Sequence, residues 1–438
     1  MSILRSLNTG ASGLRAHGQA MGTTSDNIAN VSTIGFKRSR AVFNDILGRA
    51  IDSAPQSMPM AGAGARVSHI QQMWAQGALL TTDAPTDLAV NGNGFFVVNG
   101  NNAGIEGQWY TRAGQFRVDE QGMLVNPDGL RLQGYTADPN GSVGAQLGDL
   151  QVTGGTVPAS ATSQIDLSLQ LSTSADDEDA AVIDRGTTAF DPTDDSTYTQ
   201  SIGLTIYDSL GNPREVTVYV SRTSDLGYEW DARVDPEALG DPAGPPASIG
   251  TGTLTFDDQG RLAAQAGSPL SVTFGGGAAA QSIALSFGDD LGAGGTGLGG
   301  STGFGQPFDF TGQNQDGFSA GTVSGFDVAA DGTITGVFSN GQRRPLGQVA
   351  LADFASVDGL QRAGNNLYVA TLESGDALIE GAGTGRRGSV VGGALEQSNV
   401  DIGQEFVDLI AYQRGFQANS RVITTADEMY TELVNLKR

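Results

Sequence analysis

One serine lies in a spacing that is typical of nucleophilic hydrolases. Residues 317–321 read Gly-Phe-Ser-Ala-Gly, which matches the pattern that holds a reactive serine on a sharp turn between a strand and a helix. Such a serine needs an acid and then a histidine later in the chain. The two histidines, His17 and His69, both precede Ser319. The residues after Ser319 favour a strand, so the pattern indicates a turn, and the enzyme hypothesis rests on this serine alone.

Two glycine patterns have the spacing of dinucleotide-binding loops. They cover residues 292–297 and 383–388. Phosphate binding by such a loop requires a strand before it, a helix after it and an acidic residue about 20 positions on. The first pattern lies in a glycine-rich stretch and predicts a flexible connector. The second contains Arg386 and Arg387, which suit an anion, but it leads into a predicted linker rather than a helix.

The composition leaves little material for a metal site or a redox site. The chain has no cysteine, which excludes a thiol enzyme, a disulfide scaffold and any cysteine-ligated metal. The acidic runs at 176–179 and 194–195 lack the glycine and the closing glutamate of a calcium loop. We therefore predict no catalytic residue, no cofactor and no metal ligand. A secreted β-rich binding protein or adhesin that holds calcium or a glycan is the alternative from another functional class.

The charge distribution argues against nucleic acid and membrane as partners. The formal net charge is −24, and the acidic excess lies between the two terminal segments. Such a surface repels phosphate groups and anionic lipid headgroups. The basic run 37–40 has no interleaved aromatic residues, so we expect it to pair with acidic residues of a neighbouring subunit. No apolar run is long enough to cross a bilayer, and the N-terminal sequence predicts no cleaved signal peptide.

The two ends of the chain read as helices. Apolar residues recur at steps of three and four over a predicted helix at about 402–436, and at steps of seven near the N-terminus. The candidate self-assembly residues are Leu7, Leu14, Met21, Ile28, Leu409, Tyr412, Phe416, Ile423, Tyr430 and Leu433. Glycines make the N-terminal helix weak on its own, so it needs a partner. An ordinary amphipathic helix that packs on its own domain is the open alternative.

Between the ends, short apolar runs alternate with turn signals such as Asn-Gly and Asp-Gly. The predicted fold is mainly β with α-helical termini, in which the terminal helices pair as a coiled-coil-like core domain and two all-β domains are nested. We place the helical domain at 1–30 and 399–438 and an extended linker at 31–75 and 376–398. The inner β domain is placed at 76–152 and 318–375, with an outer β domain inserted at 153–317.

Several motifs resemble those of bacterial flagellar rod and hook proteins. Residues 26–37 are similar to the N-terminal signature of that family, 91–98 to its inner β domain, and 393–401 and 413–419 to its C-terminal linker and helix. The residues that carry the resemblance are Asn27, Asn30, Gly35, Phe36, Gly94, Phe95, Phe96, Glu396, Ser398, Asn399, Val400, Asp401, Gln413 and Asn419. In the middle of the chain, 207–212 and 332–342 resemble hook proteins specifically. A distal rod or other axial protein is the nearest alternative.

The resemblance implies a structural protein rather than an enzyme. It implies a subunit that polymerises with itself into a short curved tube, which acts as a flexible joint and transmits torque from rod to filament. The implied partners are other copies of the chain, the distal rod, the hook cap, the hook–filament junction proteins and the flagellar type III export apparatus. The implied location is the hook of the flagellum, next to the basal body and outside the cell after export.

Overall fold

The computed structural model describes residues 2–46, 63–138, 141–173, 181–185, 188–240, 245–267 and 269–435. The chain forms two compact units. Unit 1 comprises Met1–Gly155, Val323–Val337 and Arg343–Arg438, and unit 2 comprises Thr156–Thr322 and Phe338–Gln342. The predicted fold class, mainly β with a helix at each end, is confirmed. The finer division into four segments stays a prediction.

The described residues form three α-helices and 28 strands. The helices are α1 (Ser2–Ala29), α2 (Pro236–Leu239) and α3 (Ile402–Asn435). The strands are β1 (Ser39–Asp45), β2 (Ala65–Gln72), β3 (Leu79–Thr81), β4 (Leu88–Asn91), β5 (Phe95–Asn102), β6 (Ile105–Thr111), β7 (Arg117–Val118), β8 (Leu124–Val125), β9 (Arg131–Ala137), β10 (Val143–Asp149), β11 (Thr156–Val157), β12 (Gln164–Gln170), β13 (Gln200–Tyr207), β14 (Pro213–Ser224), β15 (Gly227–Val234), β16 (Ala247–Phe256), β17 (Leu262–Gly267), β18 (Leu270–Val272), β19 (Gln281–Ser286), β20 (Asp309–Gln315), β21 (Gly321–Val328), β22 (Thr333–Phe338), β23 (Arg343–Asp353), β24 (Gln361–Gly364), β25 (Leu367–Val369), β26 (Leu378–Gly381), β27 (Ser389–Gly392) and β28 (Ala394–Glu396).

The sheet of unit 1 is built around β5, which is buried on both faces. In this sheet β23, β9, β5, β6, β25 and β24 follow one another as antiparallel neighbours. Successive side chains of a strand point to opposite faces. Phe96 and Val98 therefore join one apolar core, whereas Phe95 and Val97 join a second one. This double burial explains why 95–98 is a continuous apolar run rather than an alternating one.

The N-terminal part of unit 1 also contains a separate hairpin. β1 and β2 pair antiparallel, with an irregularity in the register between Val42 and Phe43. Both strands belong to the segment 31–75 that the sequence suggested as an extended linker. On the C-terminal side, β27 pairs with β4 and β28 pairs with β3. The segments that lead to the two terminal helices are therefore held by strand pairing.

Unit 2 contains two sheets that share one apolar core. One sheet has the antiparallel order β13-β14-β15-β16-β17, and the other has the order β18-β19-β12-β20. Alternate residues of the strands point into the core, as in Val216, Val218 and Val220 of β14. Strands from both sheets contribute to this core, which also contains Trp230. The alternation of apolar and polar residues is what allows each sheet to keep its other face outside the core.

The motifs that suggested chemistry lie in ordinary turns. Ser319 falls between β20 and β21, so a strand and not a helix follows it, and its carbonyl oxygen accepts a hydrogen bond from Asn340. The glycine pattern 292–297 lies in turns after β19 and leads into no helix. The pattern 383–388 connects β26 to β27, and its Arg386 and Arg387 are already bonded to Asp353 and Glu380. The positive charge of each arginine is therefore neutralised by a carboxylate of the same chain.

The acidic side chains that could bind calcium belong to the runs 176–179 and 194–195. The acidic run 176–179 lies outside the described residues. Asp194 accepts a hydrogen bond from the backbone of Ser196, and Asp195 accepts one from the hydroxyl of Tyr198, which raises the pKa of Tyr198 to about 12. In the described part of the chain, no group of three or more histidine or carboxylate side chains is placed to hold a metal ion. No described helix is long and apolar enough to cross a membrane.

The core of unit 2 yields a test of packing. A methyl group on Gly252 in β16 would lie 2.6 Å from the Trp230 ring and 2.1 Å from the carbonyl oxygen of Ala266. We expect Gly252→Ala to lower the free energy of unfolding of unit 2 by about 1–3 kcal/mol, because the core has no room for it. Gly312→Ala in β20 is the matched control, since a methyl group there would have no neighbour within 4 Å in the described part of the chain. Equal stability of the two variants in urea unfolding would contradict this packing.

Candidate assembly interface

Helices α1 and α3 lie side by side and run antiparallel. Gly10 faces Ile423, Gly13 faces Asn419, and His17 faces Gly415. A methyl group on Gly13 would lie only 2.6 Å from Asn419 Oδ1, and one on Gly415 would lie 2.7 Å from the His17 ring. The glycines therefore let the two backbones approach closely. The N-terminal helix, which is weak on its own, is supported along its length by the C-terminal one.

The buried face of α1 consists of small residues rather than of the seven-residue ladder. Gly10, Gly13, Ala16 and Ala20 are buried. The predicted ladder residues Leu7, Leu14, Met21 and Ile28 are all half-buried. The ladder thus lies at the edge of the helix contact and keeps apolar surface that the described residues do not cover.

Helix α3 divides its apolar residues between two faces. Leu409, Tyr412, Asn419 and Ile423 are half-buried, and Ala426 is buried. Among the other predicted residues, Phe416 is 37 % exposed and Tyr430 is 52 % exposed, and the side chain of Leu433 falls outside the described residues. A second set of apolar side chains on α3 is also exposed, and the sequence analysis did not predict it. We call it the α3 apolar face, and it consists of Ile402, Phe406, Val407 and Ile410.

An aromatic group joins the helix pair to the β1–β2 hairpin. The His17 ring lies 5.5 Å from the ring of Phe43 in β1 and 6.2 Å from that of Tyr412 in α3. The Phe43 and Tyr412 rings are stacked 6.0 Å apart. Burial raises the pKa of the Tyr412 hydroxyl, and the nearby carboxylates of Asp408 and Glu405 add to that effect. This group holds the two helices and the hairpin in one arrangement.

Below the helix pair, a buried carboxylate collects the segments that lead to both helices. Glu396 is fully buried and ends β28. Its Oε1 accepts hydrogen bonds from Lys37 Nζ at 2.6 Å and from the backbone of Gly77 at 2.9 Å, and its Oε2 accepts one from Arg112 Nη1 at 3.3 Å. We call Lys37, Arg112 and Glu396 the Glu396 cluster. It joins the N-terminal segment, the β sheet and the C-terminal segment at one point.

The Glu396 cluster places two cations and one anion out of water. Burial lowers the pKa of Lys37, and the attraction of Glu396 offsets part of this effect. Burial likewise lowers the pKa of Arg112, again offset by Glu396. Lys37 Nζ also donates to the carbonyl oxygen of Ala75, and Arg112 Nη2 donates to that of Gly92. Such a charge cluster is tolerated because its members are bonded, and removal of the shared anion leaves two cations buried without it.

A second polar contact connects the helices themselves. Asn27 near the end of α1 donates to Glu405 Oε2 near the start of α3 at 3.0 Å. The same amide exchanges two hydrogen bonds with the backbone of Ser39 in β1. Arg38 Nε lies 3.5 Å from Glu405 Oε1. The basic run was expected to pair with a neighbouring subunit, and for Lys37 and Arg38 that expectation is wrong, because their carboxylate partners belong to the same chain.

The remaining N-terminal signature residues shape the turn between α1 and β1. Asn30 donates to Asp26 at the end of α1. Gly35 adopts a φ of +70°, and its amide donates to the carbonyl oxygen of Glu396 at 2.7 Å. A methyl group at Gly35 would lie 2.6 Å from the backbone of Arg112. Phe36 is buried with the Arg362 guanidinium 5.1 Å from its ring centre.

The C-terminal signature residues lead the chain into α3. Asn399 accepts a hydrogen bond from the backbone of Arg38 and donates to the carbonyl oxygens of Met73 and Ala75. The carboxylate of Asp401 accepts hydrogen bonds from the first backbone amides of α3, as an N-cap does. Ser398 and Val400 are half-buried, and Gln413 is exposed. Three others lie in the sheet region, where Phe95 and Phe96 are buried in the cores and Gly94 adopts a φ of +118°.

Two residues that are central to this arrangement were missed. Arg112 lies in the predicted inner β domain and Glu405 in the predicted C-terminal helix, but neither was proposed as a site residue. The available signal for Arg112 was its position in the sequence. It is a charged residue that directly follows the end of β6, whose last residues, Trp109, Tyr110 and Thr111, are buried. Glu405 carries no comparable local signal, because its partner lies at the other end of the chain.

Comparisons with known proteins extend over the whole chain. Four family models match: flagella basal body rod protein at 7–37, the D1 domain of flagellar hook protein FlgE/F/G at 89–169, the FlaE D2 domain at 170–318 and the C-terminal FlgEFG rod domain at 391–436. The flagellar hook protein FlgE of Treponema pallidum is 33 % identical over 100 % of both chains. That of Salmonella typhimurium is 32 % identical over 99 % of this chain and 100 % of its own length.

The chain belongs to the flagellar hook protein family. The hook protein FlgE of Escherichia coli, 32 % identical over 97 % of this chain and 98 % of its own, is a further relative. A crystal structure of Helicobacter pylori flagellar hook protein FlgE2 is similar with a TM-score of 0.48 and 14 % identity, and the match covers 71 % of this chain and 98 % of that one. In this hook-family chain, the N-terminal family model covers Asn27 and the C-terminal one covers Glu405, and these two residues are hydrogen-bonded to each other.

The Glu396 cluster gives a prediction about stability. We expect Glu396→Gln to lower the free energy of unfolding of unit 1 by about 3–5 kcal/mol, because Lys37 and Arg112 would be left buried without their anion. The measurement is urea unfolding of the full chain at neutral pH. Glu380→Gln makes the same chemical change in the ion pair with Arg387, where Glu380 is 62 % exposed, and we expect it to cost at most about 1 kcal/mol. A similar small cost for both variants would contradict the role of the cluster.

Proposed function

We propose that this chain is a structural subunit of the flagellar hook and that it polymerises with itself through its terminal helices. The observation that carries the proposal is the α3 apolar face. Ile402, Phe406, Val407 and Ile410 are between 45 % and 61 % exposed on a helix of 34 residues. Large apolar side chains that lie together on one surface mark an interaction site. In a single chain, the described residues leave about half of the surface of each of these side chains uncovered.

Burial of this surface would contribute favourable free energy to association. Full burial of one such side chain is worth about 1.5–3 kcal/mol. Each of the four is roughly half exposed, and the half-buried ladder of α1 adds further apolar area beside it. Repetition of this contact along a polymer provides many such increments per subunit. The proposed polymer therefore has the terminal helices packed together in its interior.

The proposed mechanical role follows from the contrast between the helices and the rest of the chain. The helix pair is packed closely through glycines, and the Glu396 cluster ties it to the sheet of unit 1. Closely packed elements resist deformation. The acidic surface of the middle region favours wet, polar contacts between copies, which are able to rearrange. Such a tube would transmit torque through its interior and bend at its outer part, as a joint between rod and filament must.

The proposed partners and location come from the family. We propose that the chain assembles in the hook outside the cell, after export by the flagellar type III apparatus, and that it contacts the distal rod, the hook cap and the hook–filament junction proteins. A chain without disulfides is suited to passage in an unfolded state. We also propose that it acts as a structural protein and not as an enzyme. Support for this is the position of Ser319 in a turn before a strand.

The proposal predicts the effect of polar substitutions on the α3 apolar face. Phe406→Ser with Ile410→Ser should raise the critical concentration for polymerisation by about tenfold or more, since this corresponds to the loss of roughly 1.4 kcal/mol per contact. The free energy of unfolding of the monomer should stay nearly unchanged, because both side chains are about half exposed. Sedimentation and electron microscopy measure the polymer, and urea unfolding measures the monomer.

Leu372→Ser is the matched control, because Leu372 is fully exposed on a loop of the same unit. Its critical concentration should equal that of the unmodified chain. Tubes that form from the double variant at the unmodified critical concentration would contradict a role of α3 in assembly. Failure of the unmodified chain to polymerise at any concentration would contradict the proposed function itself.

A further inference from the structure

A second surface of unit 1 is a groove with a mixed polar and apolar lining. A groove of about 610 Å³ runs between the C-terminal half of α1 and strand β2. Gln19, Gly22 and Asp26 line it on the helix side, and Val67 and Ile70 line it on the strand side. Ile70 is 59 % exposed, and none of the described residues lies within 4 Å of the open side of Gly22. The groove is therefore an accessible, partly apolar hollow with a glycine in its helical wall.

The chain's own α3 does not occupy this groove. Successive residues of a helix are about 100° apart, since 3.6 residues make one turn. By this spacing, Gln19, Gly22 and Asp26 lie on nearly the opposite side of α1 from Gly10, Gly13 and His17, which contact α3. The helix α1 thus has one side that is covered by α3 and another side that borders the groove.

An open helical polymer requires two different surfaces on each subunit. A contact between identical patches closes into a dimer, whereas a head-to-tail contact between two different, complementary patches continues indefinitely. If the chain forms a tube as proposed above, the α3 apolar face needs a complementary surface on the next copy. That surface must be concave, partly apolar and separate from the α1–α3 contact, and the groove has all three properties.

The charges beside the two surfaces are also complementary. Asp26 is 54 % exposed at the edge of the groove and lies 3.6 Å from Arg362. On α3, Arg414 is exposed and continues the row of every fourth residue that begins with Ile402, Phe406 and Ile410. An apolar row that ends in a cation matches a partly apolar groove whose edge carries a half-exposed carboxylate, which Arg362 of the same chain approaches to 3.6 Å. We infer that this groove binds the α3 apolar face of a second copy, with Arg414 of that copy next to Asp26.

The absence of cysteine allows a direct test by cross-linking. One chain carries Gly22→Cys and a second chain carries Ile410→Cys, and the two are polymerised together under reducing conditions and then oxidised. A disulfide needs the two Cα atoms within about 7 Å, so a covalent dimer that joins the two variants is expected only if the groove holds α3. The mixture excludes links within one chain. Each variant polymerised alone should give no dimer.

Gly18→Cys is the matched control for the groove. Gly18 lies one turn before Gly22 on α1, and its open side too has no described neighbour within 4 Å, but it does not line the groove. A dimer with Gly22→Cys and none with Gly18→Cys is the expected result. Normal tubes without a link at Gly22, or with equal links at both positions, would overturn the inference and leave the proposed function standing. If the unmodified chain forms no tubes, both fail.

A charge exchange provides a second measurement that does not depend on cysteine. Asp26→Arg alone and Arg414→Asp alone should each raise the critical concentration for polymerisation by about tenfold, or roughly 1.4 kcal/mol. The chain that carries both substitutions should recover part of this loss, because the pair between copies is restored with reversed sign while Arg362 of the same chain still lies beside position 26. Both side chains are exposed, so we expect the monomer to fold in every variant. A double variant that is no better than the single ones would overturn the inference.

Discussion

The structure depends on the burial of one carboxylate among groups that arrive from three distant parts of the chain. Glu396 has no contact with water, so its charge is stable only while Lys37, Arg112 and the amide of Gly77 surround it. Each of these groups belongs to a different segment: the turn after α1, the end of β6 and the approach to β3. Satisfying the carboxylate therefore fixes the paths of the N-terminal and C-terminal segments relative to the sheet of unit 1.

This constraint determines what the terminal helices present to other molecules. Once the two segments are fixed, Asn27 and Glu405 meet, and the glycines of α1 and α3 allow close packing above them. Small residues of α1 fill its side of the contact, and the α3 apolar face remains outside it. The described part of the chain thus keeps an exposed apolar surface in a defined orientation. That combination suits a family whose members are named as hook proteins.

The sequence was sufficient for the elements that depend on local spacing and insufficient for those that depend on distant partners. Steps of three and four along α3 predicted a long helix, because that periodicity arises within the element itself. The ladder of α1 marked apolar residues, but closeness to α3 is decided by residue size, so Gly10 and Gly13 make the nearest approach instead. The partner of Lys37 lies 359 residues away, and no local pattern distinguishes a buried lysine from a solvated one. The family signature identified Asn27 and Asn399 without indicating what they bond to.

A double-mutant cycle between Lys37 and Glu396 tests the central claim most directly. The free energy of unfolding is measured for the full chain, for Lys37→Met, for Glu396→Gln and for the chain with both changes. If the buried ion pair links the terminal segments, the two losses should be strongly non-additive, with a coupling of about 1–3 kcal/mol. Losses that add to within about 0.5 kcal/mol would show that the two residues act independently, and the account of how the helix pair is held would be contradicted.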